Sequence, residues 1–256
     1  METDDRQVTL QQLRCVRDSF AAHFHAGASL TSHTSIGPAY VEVGWTSLKS
    51  HVDAITVGRD TLHAVRLHYG LKTSSPPHDY RFSIGVELLR MVHLTGDEWR
   101  LLPVSNEFYA VDAGSQLQKT SMAGWADDEV YFEHTFIRRT SDAKFEQADH
   151  AIDTRSIVFP WEDELLRLYD DNDGCDSLRF ICVAEPAVRQ GDEDRDMRHH
   201  ICAVALARGS ELISDDPVDP VDPFKKKAAD VGCPCPSLCA EAAPFPAHGT
   251  GLRNCK

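Results

Sequence analysis

From Tyr80 onward the chain alternates apolar and polar side chains, and no other feature constrains the fold as tightly. Tyr80, Phe82, Ile84, Val86, Leu88, Val92 and Leu94 share one parity, with Arg90 as the exception. Arg81, Ser83, Gly85 and Glu87 share the other, which turns apolar at Leu89 and Met91. A period of two is strand geometry, and a strand apolar on both faces at one end is buried on both sides there. Leu88, Met91 and Val92 also fit a helical period, so Val86–Leu94 has a helical alternative, and strand is preferred. The Thr95-Gly-Asp-Glu98 turn and Trp99-Arg-Leu-Leu102 read as the return of a hairpin, and Pro103 implies an edge, a bulge or a strand end. Val104–Asp112 and Glu129–Arg139 read as further strands, the second with Val130, Phe132, His134 and Phe136 on one face. The Tyr80–Arg139 stretch is thus expected to be the sheet on which the rest packs.

Shorter elements surround it. Thr9 and Gln12 can form a capping box for a helix carrying Leu13, Val16, Phe20 and Phe24 on one stripe, stopped by Gly27. Tyr40–Trp45 alternates as a strand, and Thr46–Thr56 reads as a helix burying Leu48, Val52 and Ile55. Thr61–Leu71 reads as a strand with Val65, Leu67 and Tyr69 on one face and Ala64, Arg66 and His68 on the other. Ser141 can cap a helix over Asp142–Ile152, Arg155–Phe159 is a short strand, and Trp161–Tyr169 a helix. Asp170-Asp-Asn-Asp-Gly174 lacks the ligand spacing of a calcium loop and reads as a turn. Leu178–Ala184 and His200–Arg208 are core strands carrying Cys182 and Cys202 as small buried hydrophobes, joined by a charged loop.

The composition changes at Ser214. Beyond it lie seven of the 13 prolines and four of the eight cysteines, including the tandem Asp-Pro-Val run of 216–223. The expected fold class is α+β: a single domain over 1–213, with a mixed or mostly antiparallel sheet flanked by a few short helices, then a Cys/Pro-rich tail over 214–256.

Charge narrows the partners. Acidic residues outnumber basic ones by 40 to 26, for a net charge of −14. The only basic cluster is Lys225-Lys226-Lys227, so nucleic acid is not an expected partner. No apolar run approaches the roughly 20 residues that span a bilayer. The acidic, amphipathic N-terminal stretch lacks the pattern of a secretory signal. Those features give a cytoplasmic location, no membrane contact and reduced thiols as expectations.

Two sets of residues can carry chemistry. In the tail, Cys233, Cys235, Cys239 and Cys255 supply four thiolates, enough for a structural zinc or an iron–sulfur cluster. Their CxC spacing is tighter than the usual knuckle, and a disulfide, a partner-docking tail or no site at all are the alternatives. On the sheet, a cleft beneath Ala113–Asp128, a candidate lid, would hold His93, Glu107, Tyr109 and His134, with His93, Glu107 and His134 as the acid–base residues. Glu133 and His134 are adjacent on an expected strand, point apart and form no dyad. The leading functional expectation is an accessory or binding protein whose tail holds a structural metal or docks a protein partner. The alternative is a small-molecule enzyme with a His/Glu pocket on the 80–139 sheet.

Overall fold

The computed structural model describes residues 7–8, 13–15, 17–18, 20, 39–56, 62–74, 79–93, 99–132, 156–172, 174–184, 199–212, 229–231 and 233–235. The chain is α+β, and its strands form two antiparallel sheets rather than one. Sheet A runs β1 (Gln7–Val8), β11 (Ala229–Val231), β9 (His199–Ala207), β8 (Ser177–Ala184), β2 (Tyr40–Gly44), with β10 (Ser210–Glu211) pairing β9. Sheet B runs β12 (Cys233–Cys235), β7 (Ser156–Pro160), β3 (Leu62–Ser74), β4 (Asp79–His93), β5 (Trp99–Val111), β6 (Leu117–Thr120).

The inner faces of the two sheets make the main core. Val65, Leu67 and Tyr69 of β3 and Ile84, Val86 and Leu88 of β4 meet Phe180 of β8 and Ala203 of β9 in one cluster. Phe159 and Phe180 touch edge to face across it, with centroids 5.7 Å apart. Burying a side chain of this size contributes roughly 1.5–3 kcal/mol, so the alternation along β3 and β4 sets which face turns inward.

Helix α2 (Trp45–Thr56) buries Leu48 and Val52 in this core, as its period requires. Trp45 opens the helix instead of ending the strand, stacking on Trp161 and Tyr169 with centroids 5.3 and 4.1 Å away. The expected Trp161–Tyr169 helix begins as a π-helical turn over Trp161–Leu166 and continues as α-helix through Arg167–Asp170. It carries a fully buried Glu164. At the following turn Asn172 donates its side-chain amide to the Leu168 carbonyl at 2.7 Å, and Gly174 takes φ +80°.

The N-terminal helix, α1, is described at 13–15, 17–18 and 20. Its stripe divides between two clusters. Phe20 enters the main core against Phe82, while Leu13 lies on the outer face of sheet A against Ile181 and Val204.

Three expectations meet the structure here: the bulge is the outcome at Pro103, helix replaces the strand expected at Glu129–Phe132, and strands follow the boundary expected near Ile213. β5 continues through Pro103, which pairs with Leu89. Between there and the Glu87–Phe108 pair, β5 spends five residue steps (103 to 108) where β4 spends two (87 to 89). The proline is accommodated in that bulge, where Asn106 adopts φ 61°. Second, Glu129–Phe132 is not strand: it completes helix α3 (Met122–Phe132), and 133–139 lie outside the described residues. Third, the sheets extend beyond the boundary expected near Ile213. β11 pairs with β1 and β9 in sheet A, and β12 pairs with β7 in sheet B. No described helix is long and apolar enough to cross a membrane.

Candidate functional site

Residues of even number on β3 and odd number on β4 point away from the core, onto the outer face of sheet B. The hairpin register places Arg66 opposite Glu87, His68 opposite Gly85 and Gly70 opposite Ser83. Three ionisable side chains therefore converge. Arg66 Nη1 donates to Glu87 Oε2 at 3.0 Å, and His68 Nε2 lies 3.2 Å from the same oxygen. His68 and Glu87 are buried, each 8% exposed, and Arg66 is half-buried.

Helix α3 covers this face. Its Trp125 is almost wholly buried and lies flat against two glycines. A Cβ at Gly70 would stand 2.4 Å from the indole Cζ2, and one at Gly85 would stand 2.5 Å from Phe108 Cζ and 3.0 Å from the indole Cε2. Real Cβ atoms essentially never come as close as 2.4 or 2.5 Å, so the two glycines let Trp125 and Phe108 seat against the sheet. The rings continue toward the polar set: Trp125 to Phe108 at 6.2 Å, then Phe108 to His68 at 5.6 Å. Asp128, one turn further along α3, accepts from Ser83 Oγ at 3.2 Å.

The two carboxyls beneath and on α3 are pushed in opposite directions. Burial alone raises Glu87, but the hydrogen bond and charge of His68, then the charge and hydrogen bond of Arg66, outweigh it and hold Glu87 below the usual glutamate range. Burial also raises Asp128, and the Lys72 charge and the Ser83 hydrogen bond offset this only in part, so its carboxyl stays above the usual aspartate range. Carboxyls driven apart in this way are suited to opposite proton-transfer roles. Two donors on the same face, Arg66 Nε and Trp125 Nε1, are buried with no hydrogen-bond acceptor among the described residues. Trp45 Nε1, a donor, and Asn172 Oδ1, an acceptor, are likewise buried with no partner among the described residues.

The sequence-based site residues are not gathered here. His93 ends β4, paired with Trp99, six residues from Glu87 and hence roughly 20 Å along the ladder. Glu107 lies in the β5 bulge, next to Phe108, which pairs with Glu87, so the register separates His93 from Glu107. Glu107 accepts from Lys119 Nζ at 2.8 Å and from the Tyr109 hydroxyl. Tyr109 itself turns into the core, its ring 4.3 Å from that of His51. His134 lies outside the described residues. The Ala113–Asp128 segment does cover the sheet, but as a turn, a short strand and helix α3.

Cys233 and Cys235 are placed on β12, opposite Val158 and Ser156, while Cys239 and Cys255 lie outside the described residues. Cys175, Cys182 and Cys202 are buried, and Cys175 and Cys182 are free thiols. Burial pushes the Cys182 thiol far above its ordinary value, which makes it inert. Cys15 is disulfide-bonded, contrary to the expectation of reduced thiols. Among the described residues, no three His, Cys, Asp or Glu side chains are grouped to hold a metal.

A scan of protein-family models finds no match, and neither a curated protein nor a solved structure matches the chain.

Proposed function

We propose that this chain is a small-molecule-binding protein whose ligand site is the polar floor of sheet B beneath α3. The observation that supports it is the pair of buried, acceptor-less donors, Arg66 Nε and Trp125 Nε1, on the same face as the His68–Glu87–Arg66 set. Buried donors are nearly always satisfied, and a ligand bearing carboxylate, phosphate or carbonyl oxygens would satisfy these. α3 is the movable cover, and the His68–Glu87 pair can exchange a proton with what enters.

A panel of small carboxylates and phosphates, followed by thermal shift and tryptophan emission, tests the reading. At least one member should raise the melting temperature of the wild-type chain, and the shift should shrink at least tenfold in apparent affinity in Arg66→Lys, which keeps the charge but loses the planar fork. No shift from any member, or an equal shift in Arg66→Lys, overturns it.

The tail supplies a second reading, in which Cys233, Cys235, Cys239 and Cys255 hold a structural zinc or iron–sulfur group, or dock a protein partner. Cys233 and Cys235 lie two residues apart on β12. Metal analysis of reduced protein tests it: about one metal per chain, lost in Cys235→Ser, supports the reading, and metal-free protein ends it.

A further inference from the structure

Six polar or charged residues are buried among the described residues, and four of them, His68, Ser83, Glu87 and Ser156, share the outer face of sheet B. Ser156 stands outside the ligand-binding set proposed above. Ile157 and Phe159 of β7 turn into the core, so Ser156 turns the other way, onto the face that carries His68. The β3–β7 register sets Ser156 directly opposite His68, and Cβ atoms in such a pair stand roughly 4.5–5.5 Å apart. Toward β4, His68 Nε2 lies 3.2 Å from Glu87 Oε2. With Nε2 on the carboxylate, the second ring nitrogen is Nδ1, the one nearer the backbone and suited to a short side chain on the neighbouring strand. A hydroxyl, an imidazole and a carboxylate thus follow one another across β7, β3 and β4. Ser83 is placed differently: it stands opposite Gly70, and its hydroxyl donates to Asp128. Arg66 is the next outward residue of β3, and its Nε is a buried donor with no acceptor among the described residues.

We propose that Ser156 is the nucleophile, His68 the base and Glu87 the positioning residue of a triad that hydrolyses a carboxylic ester on the polar floor of sheet B. This rests on the ligand site proposed for that floor, and it makes the small carboxylate of that reading a product. Ser156 Oγ attacks the ester carbonyl carbon as its proton passes to His68 Nδ1, and Arg66 Nε donates to the resulting oxyanion. The tetrahedral adduct collapses by breaking the bond to the alcohol oxygen. His68 gives its proton to that oxygen, the alcohol leaves and Ser156 is acylated. Water then gives a proton to His68 and attacks the acyl carbon. The bond to Ser156 Oγ breaks, that oxygen regains the proton, and the carboxylic acid leaves. Glu87, whose carboxyl is held below the usual glutamate range, is ionised beside the imidazolium formed in both halves.

Labelling of the full chain with an alkyl fluorophosphonate, which esterifies an activated serine with loss of fluoride, tests this. Tryptic cleavage after Arg155 and Arg167 releases peptide 156–167, in which Ser156 is the only hydroxyl-bearing side chain. One adduct on this peptide is expected in the wild-type chain and none in Ser156→Ala. The labelling rate should fall about a hundredfold in His68→Gln, and the rate of p-nitrophenyl acetate hydrolysis should fall as much in both variants. If His68→Gln fails to fold, Glu87→Gln carries the same comparison with a loss of about tenfold or more. An adduct on another peptide, no adduct, or labelling of a folded variant at the wild-type rate overturns the proposal. Small carboxylates that raise the thermal midpoint of a chain in which no serine is labelled leave the binding reading standing and end this one.

Discussion

On the outer face of sheet A, Arg179 sits between two carboxylates, whereas on the outer face of sheet B, Glu87 sits between an arginine and a histidine. Arg179 holds Glu42 at 2.5 Å and Glu211 at 2.7 Å, lies over the Tyr40 ring at 4.4 Å, and shares Glu211 with Arg17 of α1. Glu42 keeps 31% of its side chain in water. Glu87, Arg66 and His68 keep 11%, 11% and 10%. The first network can return its charges to solvent if broken. The second is less able to, because its side chains are only 10–11% exposed. A guanidinium nitrogen without an acceptor is also found only on the sheet B side among the described residues. The difference shows which of two ion clusters pins a surface and which is closed over an interior.

Breaking each hub should separate them most. Glu87→Ala leaves the mostly covered Arg66 guanidinium and the buried His68 ring without their shared carboxylate and should cost about 3–5 kcal/mol by denaturant unfolding. Arg179→Ala, whose partners can rehydrate, should cost about 1–2 kcal/mol. Equal losses would erase the distinction drawn between the faces.

The cover can be tested without touching a charge. Gly85→Ala drives a methyl group into Phe108 and Trp125, and overpacking of this kind costs about 1–3 kcal/mol. Red-shifted tryptophan emission should accompany it if α3 lifts.

Acid should act on the sheet B face through Glu87. Its folded value lies below the unfolded one, so its contribution is present above the ordinary glutamate range of about 4.3 and is lost as pH falls through the folded value. The stability of Glu87→Gln should therefore fall less steeply than that of the wild-type chain below about pH 4. Parallel curves would show that the carboxylate is not the titrating group. As a baseline, Lys49→Ala removes only the exposed Lys49–Asp53 pair of α2 and should change stability by less than about 0.5 kcal/mol.

Much of the architecture was legible because the hydrophobic period is local. The alternation along β3 and β4, the Leu48/Val52 stripe of α2 and the buried Cys182 and Cys202 all follow from side chains a few residues apart. The site was not legible for a specific reason. Arg66, His68 and Glu87 were all assigned to outward parities, but parity does not say who faces whom. That is decided where the hairpin closes. The ladder runs to Ser74 and Asp79, leaving four residues between the strands and bringing Arg66 onto Glu87. A strand taken to end at Leu71 leaves that register undefined. His93 and Glu107 are acid–base residue types on one stretch of sequence, but the β4–β5 register sets them apart along the ladder.

Helix α3 shows the opposite limit. Val130 and Phe132 sit in a run that alternates like a strand, and local preference pointed that way. Trp125 found a flat seat on Gly70 and Gly85, residues 40 and more positions earlier, and that packing outweighed propensity.

By itself, the sequence determined the strand faces, the α+β class and the acidic charge balance, since period and composition need no partner to be read. Only the tertiary structure decided that the strands form two sheets, that the tail closes both of them, and that Glu87 lies buried between Arg66 and His68. Each of these depends on register and on contacts between distant segments, and neither is written in any single stretch of chain.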